Sequence, residues 1–238
     1  MIKKITSFIT SKKNSDSALL RLYEALYEDF QEYTRVPKEY FCANLTLINE
    51  YKELSGCVVE CGVWRGGMMG GIASLLGDER HYYLFDSFEG LPPASEIDGK
   101  KALEWQAHND LNNCSTDASF AHKAMKMAKA KNYHIIKGWF DKTLSSTEFE
   151  DNIAILRLDA DWYSSTAHCL NYLYPKVREG GLIIIDDYYA WEGCAKAVHD
   201  FLSHNKLSDR IRQYKGLVCY IVKEKDAEIR MINPRGEV

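Results

Sequence analysis

The chain contains the stretch Leu156-Arg-Leu-Asp159-Ala-Asp161-Trp-Tyr-Ser-Ser-Thr166 and, further along, Ile183-Ile-Ile-Asp186-Asp187-Tyr188-Tyr189. Each is an apolar, β-branched run that ends abruptly on aspartates, as a buried strand of a parallel sheet does at its carboxyl end. Because neighbouring strands of such a sheet end at one edge, these aspartates are expected to lie together. Close carboxylates repel one another unless a cation lies among them, which favours a hard divalent ion, Mg²⁺ before Ca²⁺ or Mn²⁺. The two stretches therefore predict a metal-assisted active site.

Strands, loops and helices alternate from residue 57 onwards. This alternation favours an α/β fold with a doubly wound, mostly parallel sheet. Only Lys215-Gly216 separate the last two strands, which predicts an antiparallel C-terminal hairpin at one edge. The seven predicted strands are Cys57–Cys61, Tyr82–Phe85, His134–Lys137, Ile153–Leu158, Leu182–Ile185, Arg210–Tyr214 and Leu217–Val222.

Two helices are predicted before the sheet. Residues 17–31 carry apolar side chains at helical spacing. A second helix follows Val36-Pro37 and stops at Ser55-Gly56. The sheet looks complete without these helices, so they need not belong to its core. We therefore expect residues 1–54 to form a helical segment that is either a lid over the site or a contact surface for a homo-oligomer, and residues 55–238 to form the main domain.

Composition excludes several classes of protein. The chain has 238 residues, 46% of them hydrophobic, which suits one large domain. Its net charge is −4 and its one basic cluster is N-terminal without aromatic residues, so nucleic acid is a poor candidate partner. No apolar run approaches the roughly 18 residues of a membrane span, and no leader pattern is visible. Seven scattered cysteines disfavour zinc ribbons and disulfide frameworks. A cytoplasmic location without membrane contact is expected.

A glycine turn and one acid predict a second binding feature. Val58-Val-Glu60-Cys-Gly62-Val-Trp-Arg-Gly66-Gly67 is typical of a strand, a tight turn and a helix start that offers N–H groups to a carboxylate or phosphate. The spacing is not Gly-x-Gly-x-x-Gly, which disfavours a nicotinamide cofactor. Asp86 ends the next strand, where an acid accepts hydrogen bonds from both ribose hydroxyls, although it could also be a turn or cap residue. Together they indicate an adenosine-type ligand.

Residues 90–116 are polar and irregular and fit no predicted element. A loop of this length in a compact domain is usually functional or mobile. We therefore expect it to form a wall or lid over the site.

Five segments, in the same order, resemble the macrocin/mycinamicin type of sugar O-methyltransferase, to which the novobiocin noviose methyltransferase is related. They are Glu60-Cys-Gly-Val-Trp-Arg-Gly-Gly67, Phe85-Asp-Ser-Phe-Glu-Gly-Leu-Pro92, Lys137-Gly-Trp-Phe140, Arg157-Leu-Asp-Ala-Asp-Trp-Tyr-Ser-Ser-Thr166 and Ile185-Asp-Asp-Tyr188. The resemblance runs from about residue 40 to about residue 223. It implies a Rossmann-like class I methyltransferase fold for residues 55–238, S-adenosylmethionine and Mg²⁺ as cofactors, and a glycosylated small molecule or glycan as acceptor.

The resemblance also implies roles for individual residues. The metal ligands would be Asp159, Asp186 and Asp187, and Asp161 would be the general base that takes the proton of the accepting hydroxyl. The residues that would bind the cofactor are Glu60, Gly62, Gly66 and Gly67 for its methionine portion, Asp86 for its ribose, Ser87 and Phe88 beside the adenosine, and Trp139 and Phe140 in the pocket wall.

Other interpretations stay open at this stage. His199 is either a second base or, as we favour, a helix-surface histidine, and His168 is at least as easily structural. Tyr188, Tyr189 and Trp191 either stack on a sugar or cover the end of the sheet. The alternative functions are a catechol-like O-methyltransferase and a non-catalytic binding module with a methyltransferase fold. A nicotinamide dehydrogenase explains neither pair of aspartates.

Overall fold

A single seven-stranded sheet organises the protein. The computed structural model describes residues 17–109, 113–225 and 228–236. The strands are β1 (Cys57–Cys61), β2 (His81–Asp86), β3 (Asn132–Lys137), β4 (Ile153–Leu158), β5 (Val177–Ile185), β6 (Arg212–Tyr214) and β7 (Val218–Val222). Their order is β3-β2-β1-β4-β5-β7-β6, with β1 to β5 parallel and the β6–β7 hairpin antiparallel. The predicted fold class and the antiparallel edge are both confirmed.

Helices cover both faces of the sheet. Residues 17–30 are helical and are called α1. The others are α2 (Lys38–Asn49), α3 (Gly67–Leu76), α4 (Lys100–His108), α5 (Ser119–Met127), α6 (Phe140–Thr143), α7 (Tyr163–Leu173) and α8 (Glu192–His204). Every residue of β4 is buried, as expected for a central strand covered on both sides. Within the described ranges, no helix combines the length and the apolar character that crossing a bilayer requires.

The N-terminal helices belong to one of the two hydrophobic clusters that pack against the sheet. Tyr23 and Phe30 of α1 and Phe41 of α2 lie in the same buried cluster as Val58 of β1 and Ile184 of β5. All seven strands lie outside these helices, as expected, but the helices belong to the core because their apolar stripes cover one face of the sheet. A role as a lid or as an oligomer contact stays a prediction.

The segment 90–116 contains more regular structure than its sequence indicates. It includes a short 3₁₀ helix at Glu96–Asp98 and then α4, in which only Ala102 is buried. A helix with so little buried surface carries no apolar stripe, so periodicity did not reveal it. Buried Asp98 accepts a hydrogen bond from the Tyr163 backbone N–H at 2.7 Å, which joins this segment to the start of α7.

Candidate active site

A cavity of about 600 Å³ lies at the carboxyl ends of the parallel strands. Ligands of doubly wound sheets bind where the strand order reverses, which here is between β1 and β4. The link between α1 and α2, residues 34–37, and part of the segment 90–116 complete the wall. The predicted site residues that line the cavity are Glu60, Gly62, Asp86, Ser87, Trp139, Phe140, Asp159, Asp161 and Asp186.

The glycine turn brings the ends of β1 and β4 together. Gly62 has a φ of +85°, and a Cβ there would lie 1.8 Å from the backbone oxygen of Asp159. Gly66 and Gly67 are not among the lining residues of the cavity. A Cβ at Gly66 would meet Ala121 at 2.9 Å, and one at Gly67 would meet the backbone of Tyr33 at 2.5 Å. These two glycines therefore permit close packing, and their predicted contact with a cofactor stays untested.

Asp86 is held by the backbone around it. Its Oδ2 accepts the Trp64 N–H and its Oδ1 accepts the Phe88 N–H, both at 2.7 Å. Burial raises the pKa of this carboxyl, and the backbone hydrogen bonds oppose that rise. A carboxylate has about four acceptor positions, so two hydroxyls of a ligand can still be bound. The Phe88 side chain packs in a buried hydrophobic cluster and is not among the residues that line the cavity, so its predicted place beside an adenosine stays a prediction.

Arg157 is the residue that sequence analysis missed. Its fully buried guanidinium donates to Glu60 Oε1 at 2.7 Å, to Asp159 Oδ2 at 2.9 Å and to Asp186 Oδ1. The signal was present, because an arginine inside the apolar run of β4 must find buried anionic partners. The sequence alone did not show which carboxylates these are. We call Arg157, Glu60, Asp159 and Asp186 the arginine cluster.

Glu60 has one oxygen that the arginine cluster leaves unsatisfied. Its Oε2 is buried, and no hydrogen-bond donor among the described residues reaches it. Burial raises the pKa of Glu60 to about 7, although Arg157 opposes that rise. Buried carboxylate oxygens normally have partners. The orphaned oxygen at the cavity wall is therefore suited to a donor group of a bound ligand.

Three carboxylates form a second group that shares one member with the first. Asp159, Asp161 and Asp187 each offer an oxygen within 4.8 Å of the others, an arrangement able to hold a metal ion. We call this set the open carboxylate group. Burial, and next the charge of Asp159, raises the pKa of Asp161 to about 7. Burial, and next the charge of Asp186, raises the pKa of Asp159 to about 6. Burial is the larger cause of both shifts, and a cation would offset the part that comes from the neighbouring carboxylates.

The open carboxylate group differs in one member from the predicted metal ligands. It contains Asp161, the predicted base, in place of Asp186, one of whose oxygens is bound by Arg157. Asp161 has a φ of 54°, its N–H donates to Asp187 Oδ2 at 2.9 Å, and its Oδ1 accepts the Trp191 indole N–H at 3.2 Å. All four predicted aspartates lie at one edge, as expected. Their division into ligands and base stays a prediction.

The two histidines lie in different surroundings. His199 is exposed on α8 and is hydrogen-bonded to the Tyr188 hydroxyl at 2.9 Å, in agreement with the favoured helix-surface interpretation. His168 on α7 lines the cavity. Its Nδ1 is buried and has no partner among the described residues, and burial lowers its pKa.

Comparison with known families settles the relationship that this geometry suggests. The family described as macrocin O-methyltransferase (TylF) matches residues 42–223, which contain all the predicted site residues. The chain belongs to this family. The match begins inside α2 and ends just beyond β7, so the family region includes the whole sheet.

Proteins similar to this chain are named as O-methyltransferases. The chain is 34% identical over 167 residues to 8-demethyl-8-(2,3-dimethoxy-α-L-rhamnosyl)-tetracenomycin-C 4'-O-methyltransferase of Streptomyces olivaceus, covering 68% of this chain and 63% of the relative. It is 31% identical over 164 residues to mycinamicin III 3''-O-methyltransferase of Micromonospora griseorubida, covering 66% and 64%. The solved structure of the O-methyltransferase NovP superposes with a TM-score of 0.67 at 28% identity, covering 77% and 81%. The chain thus spans less than two thirds of the length of both curated relatives.

Proposed function

We propose that this protein transfers a methyl group from S-adenosylmethionine to a hydroxyl of a sugar on a glycosylated natural product or glycan, assisted by a divalent cation, Mg²⁺ first. One observation carries the proposal: a single cavity is lined by Glu60, which has an unsatisfied oxygen, by Asp86, and by Asp159 and Asp161 of the open carboxylate group. Membership of the TylF family and the names of its relatives support it.

The cavity residues fit the methyl donor. Glu60 and Gly62 would hold its methionine portion, and Asp86 would accept hydrogen bonds from its ribose hydroxyls. Ser87, Trp139 and Phe140 also line the cavity and would contact the adenosine. When bound, S-adenosylmethionine supplies an electrophilic methyl group on a sulfonium. Fixing donor and acceptor in line would provide much of the rate, up to about 7–11 kcal/mol in favourable intramolecular reactions.

The carboxylates fit a hard cation with oxygen ligands. Asp159 and Asp187 would be ligands, and Asp186 would contribute the oxygen that Arg157 does not bind. A bound divalent cation lowers the pKa of a coordinated hydroxyl and fixes its position. Asp161 would then accept the hydroxyl proton as the oxygen attacks the methyl carbon and the carbon–sulfur bond breaks. Mg²⁺ usually keeps several waters, which argues against a fourth carboxylate ligand.

The test is methyl transfer to a panel of glycosides, with matched aglycones and a simple catechol as comparison acceptors. We expect S-adenosylhomocysteine release and methylation of a sugar hydroxyl, loss of both with chelator, and recovery with Mg²⁺. Asp161→Asn should lose roughly 10²–10⁴-fold in single-turnover rate, the usual worth of a positioned base, while keeping Mg²⁺ and cofactor affinity. Asp78→Asn is the control, because the partly exposed Asp78 pairs with Lys131 outside the cavity.

Each failure points to a different correction. Methylation of the catechol alone would replace the sugar as acceptor, and full activity after exhaustive chelation would remove the cation. Lost Mg²⁺ affinity in Asp161→Asn would make Asp161 a ligand, as the open carboxylate group suggests. A cytoplasmic location and a homo-oligomer through the N-terminal helices stay predictions from the sequence.

A further inference from the structure

Three indole rings form a cluster beside the carboxylates. Trp105 lies on α4, Trp162 follows Asp161, and Trp191 precedes α8. Their ring centroids are separated by 6.2, 5.8 and 5.1 Å, and each pair meets edge to face. Aromatic pairs in this geometry are favourable beyond the area that they bury. The cluster therefore fixes the three rings relative to one another at the edge of the site.

Two of the indole N–H groups have different destinations. Trp162 is fully buried and donates to the backbone oxygen of Pro92 at 2.9 Å, which attaches the segment 90–116 to the end of β4. Trp191 donates to Oδ1 of Asp161 at 3.2 Å. One N–H thus stabilises the wall, whereas the other contacts the proposed base.

Trp191 is itself held in place from two sides. Its backbone N–H donates to the Asp187 backbone oxygen at 3.0 Å. The Lys101 ammonium lies 5.0 Å from the centre of the Trp191 ring and donates to the Ala190 backbone oxygen at 3.0 Å. The ring therefore has little freedom to turn away from Asp161.

We propose that Trp191 is a positioning residue for Asp161. The indole N–H occupies Oδ1 and leaves the other oxygen of the carboxylate to take the proton of the acceptor. The Asp161 backbone is fixed at the same time, because its N–H is bound by Asp187. This inference rests on the proposed function of Asp161 and adds the group that orients it.

An indole suits this task for a chemical reason. It is a donor only and carries no charge, so it can orient a carboxylate without forming an ion pair. Arg157 shows the contrast, since its charged guanidinium pairs with the neighbouring Asp159 and Asp186. A cationic side chain hydrogen-bonded directly to Asp161 would stabilise the ionised carboxylate more strongly than a neutral donor and weaken it as a base. An uncharged donor avoids that loss.

The kinetic test removes the N–H and keeps an aromatic ring. Trp191→Phe should lower kcat roughly tenfold to a hundredfold, the worth of one hydrogen bond to a charged group, with acceptor KM and the Kd values of Mg²⁺ and S-adenosylmethionine unchanged. Benzothienylalanine at position 191, which has the shape of indole without its N–H, should show the same loss. Asp78→Asn, which lies outside the cavity, is the control and should leave kcat close to that of the wild type.

A second readout is independent of turnover. The protein has five tryptophans, so their indole N–H groups give five signals in a ¹H–¹⁵N spectrum, and loss of one in Trp191→Phe assigns Trp191. Asp161→Asn should shift this signal and leave that of Trp139 in place. An unmoved signal would overturn the proposal, as would an unchanged kcat in the benzothienylalanine variant. Absence of methyl transfer by the wild type would instead refute the proposed function, and the spectrum would still test the contact.

Discussion

Two groups of carboxylates share Asp159 and differ in how their charge is balanced. In the arginine cluster, the guanidinium of Arg157 donates to all three acids. In the open carboxylate group, Asp159, Asp161 and Asp187 approach one another, and the only direct cationic partner among the described residues is the Arg157 contact to Asp159. This difference indicates which of the two groups needs a bound cation. A fixed cation completes the first group, whereas the second is electrostatically incomplete and therefore suited to a mobile cation.

Removing one charged member from each group should have clearly different effects on the free energy of unfolding. Arg157→Met should lower the free energy of unfolding by about 3–5 kcal/mol, because it leaves buried carboxylates without their partner. Asp187→Asn should leave it unchanged or raise it, since it removes a repelling charge and keeps an oxygen for the Asp161 N–H. Urea unfolding in the presence of chelator measures both. Equal losses in the two variants would show that the groups do not differ.

Adding Mg²⁺ should stabilise the protein by balancing the charge of the open carboxylate group. At a concentration about a hundred times its Kd, the ion should stabilise the wild type by about 2.7 kcal/mol. Asp187→Asn should lose this stabilisation. Asp186→Asn should also lose the stabilisation by Mg²⁺, because we expect Asp186 to be a metal ligand. Asp161→Asn should keep it, because we expect Asp161 to be the base. Thermal unfolding at several Mg²⁺ concentrations checks this, and loss in Asp161→Asn alone would exchange the two roles.

The smallest expected effect is a dependence on pH in the metal-free protein. The pKa values of Asp159 and Asp161 are raised to about 6 and about 7, largely by burial. An aspartate of the unfolded chain has a pKa of about 3.9. Between this pH and the raised pKa values the folded state binds more protons than the unfolded state, so stability falls as pH rises. Acidification from about pH 8 to about pH 5.5 should thus raise the free energy of unfolding, by on the order of 1 kcal/mol. This gain in stability should be smaller in Asp161→Asn and smaller when Mg²⁺ is bound. A fall in stability on acidification would show that the pKa values of these aspartates are not raised.

The sequence was sufficient for the sheet and for the location of the site. Apolar runs that end on Asp86, Asp159 and Asp186 marked the carboxyl ends of β2, β4 and β5, because a buried parallel strand leaves a clear pattern. The α/β class and the C-terminal hairpin followed from the same signal. This pattern is local, because it marks the end of each strand. The order of the strands and helices along the chain then indicates the fold class.

The missed features depend on contacts between distant segments. Arg157 pairs with Glu60 across 97 positions of sequence, and no local pattern specifies that partner. Asp161 has a left-handed backbone, and its N–H is bound by Asp187, which lies in a distant segment. The spacing of Asp159 and Asp161 in the sequence does not show whether Asp161 is a base or a metal ligand. The place of the N-terminal helices in the core could not be predicted, because an apolar stripe shows that a face is buried without showing which surface it packs against.

The link at residues 34–37 reaches the cavity over Gly67, where a Cβ would lie 2.5 Å from the Tyr33 backbone carbon. A larger side chain at position 67 must push this link outward and open the cavity on that side. The carboxylates are supplied by other strands and would stay in place. A single methyl group at position 67 would therefore change the shape of the cavity wall at residues 34–37 and leave the residues that carry the carboxylates unchanged.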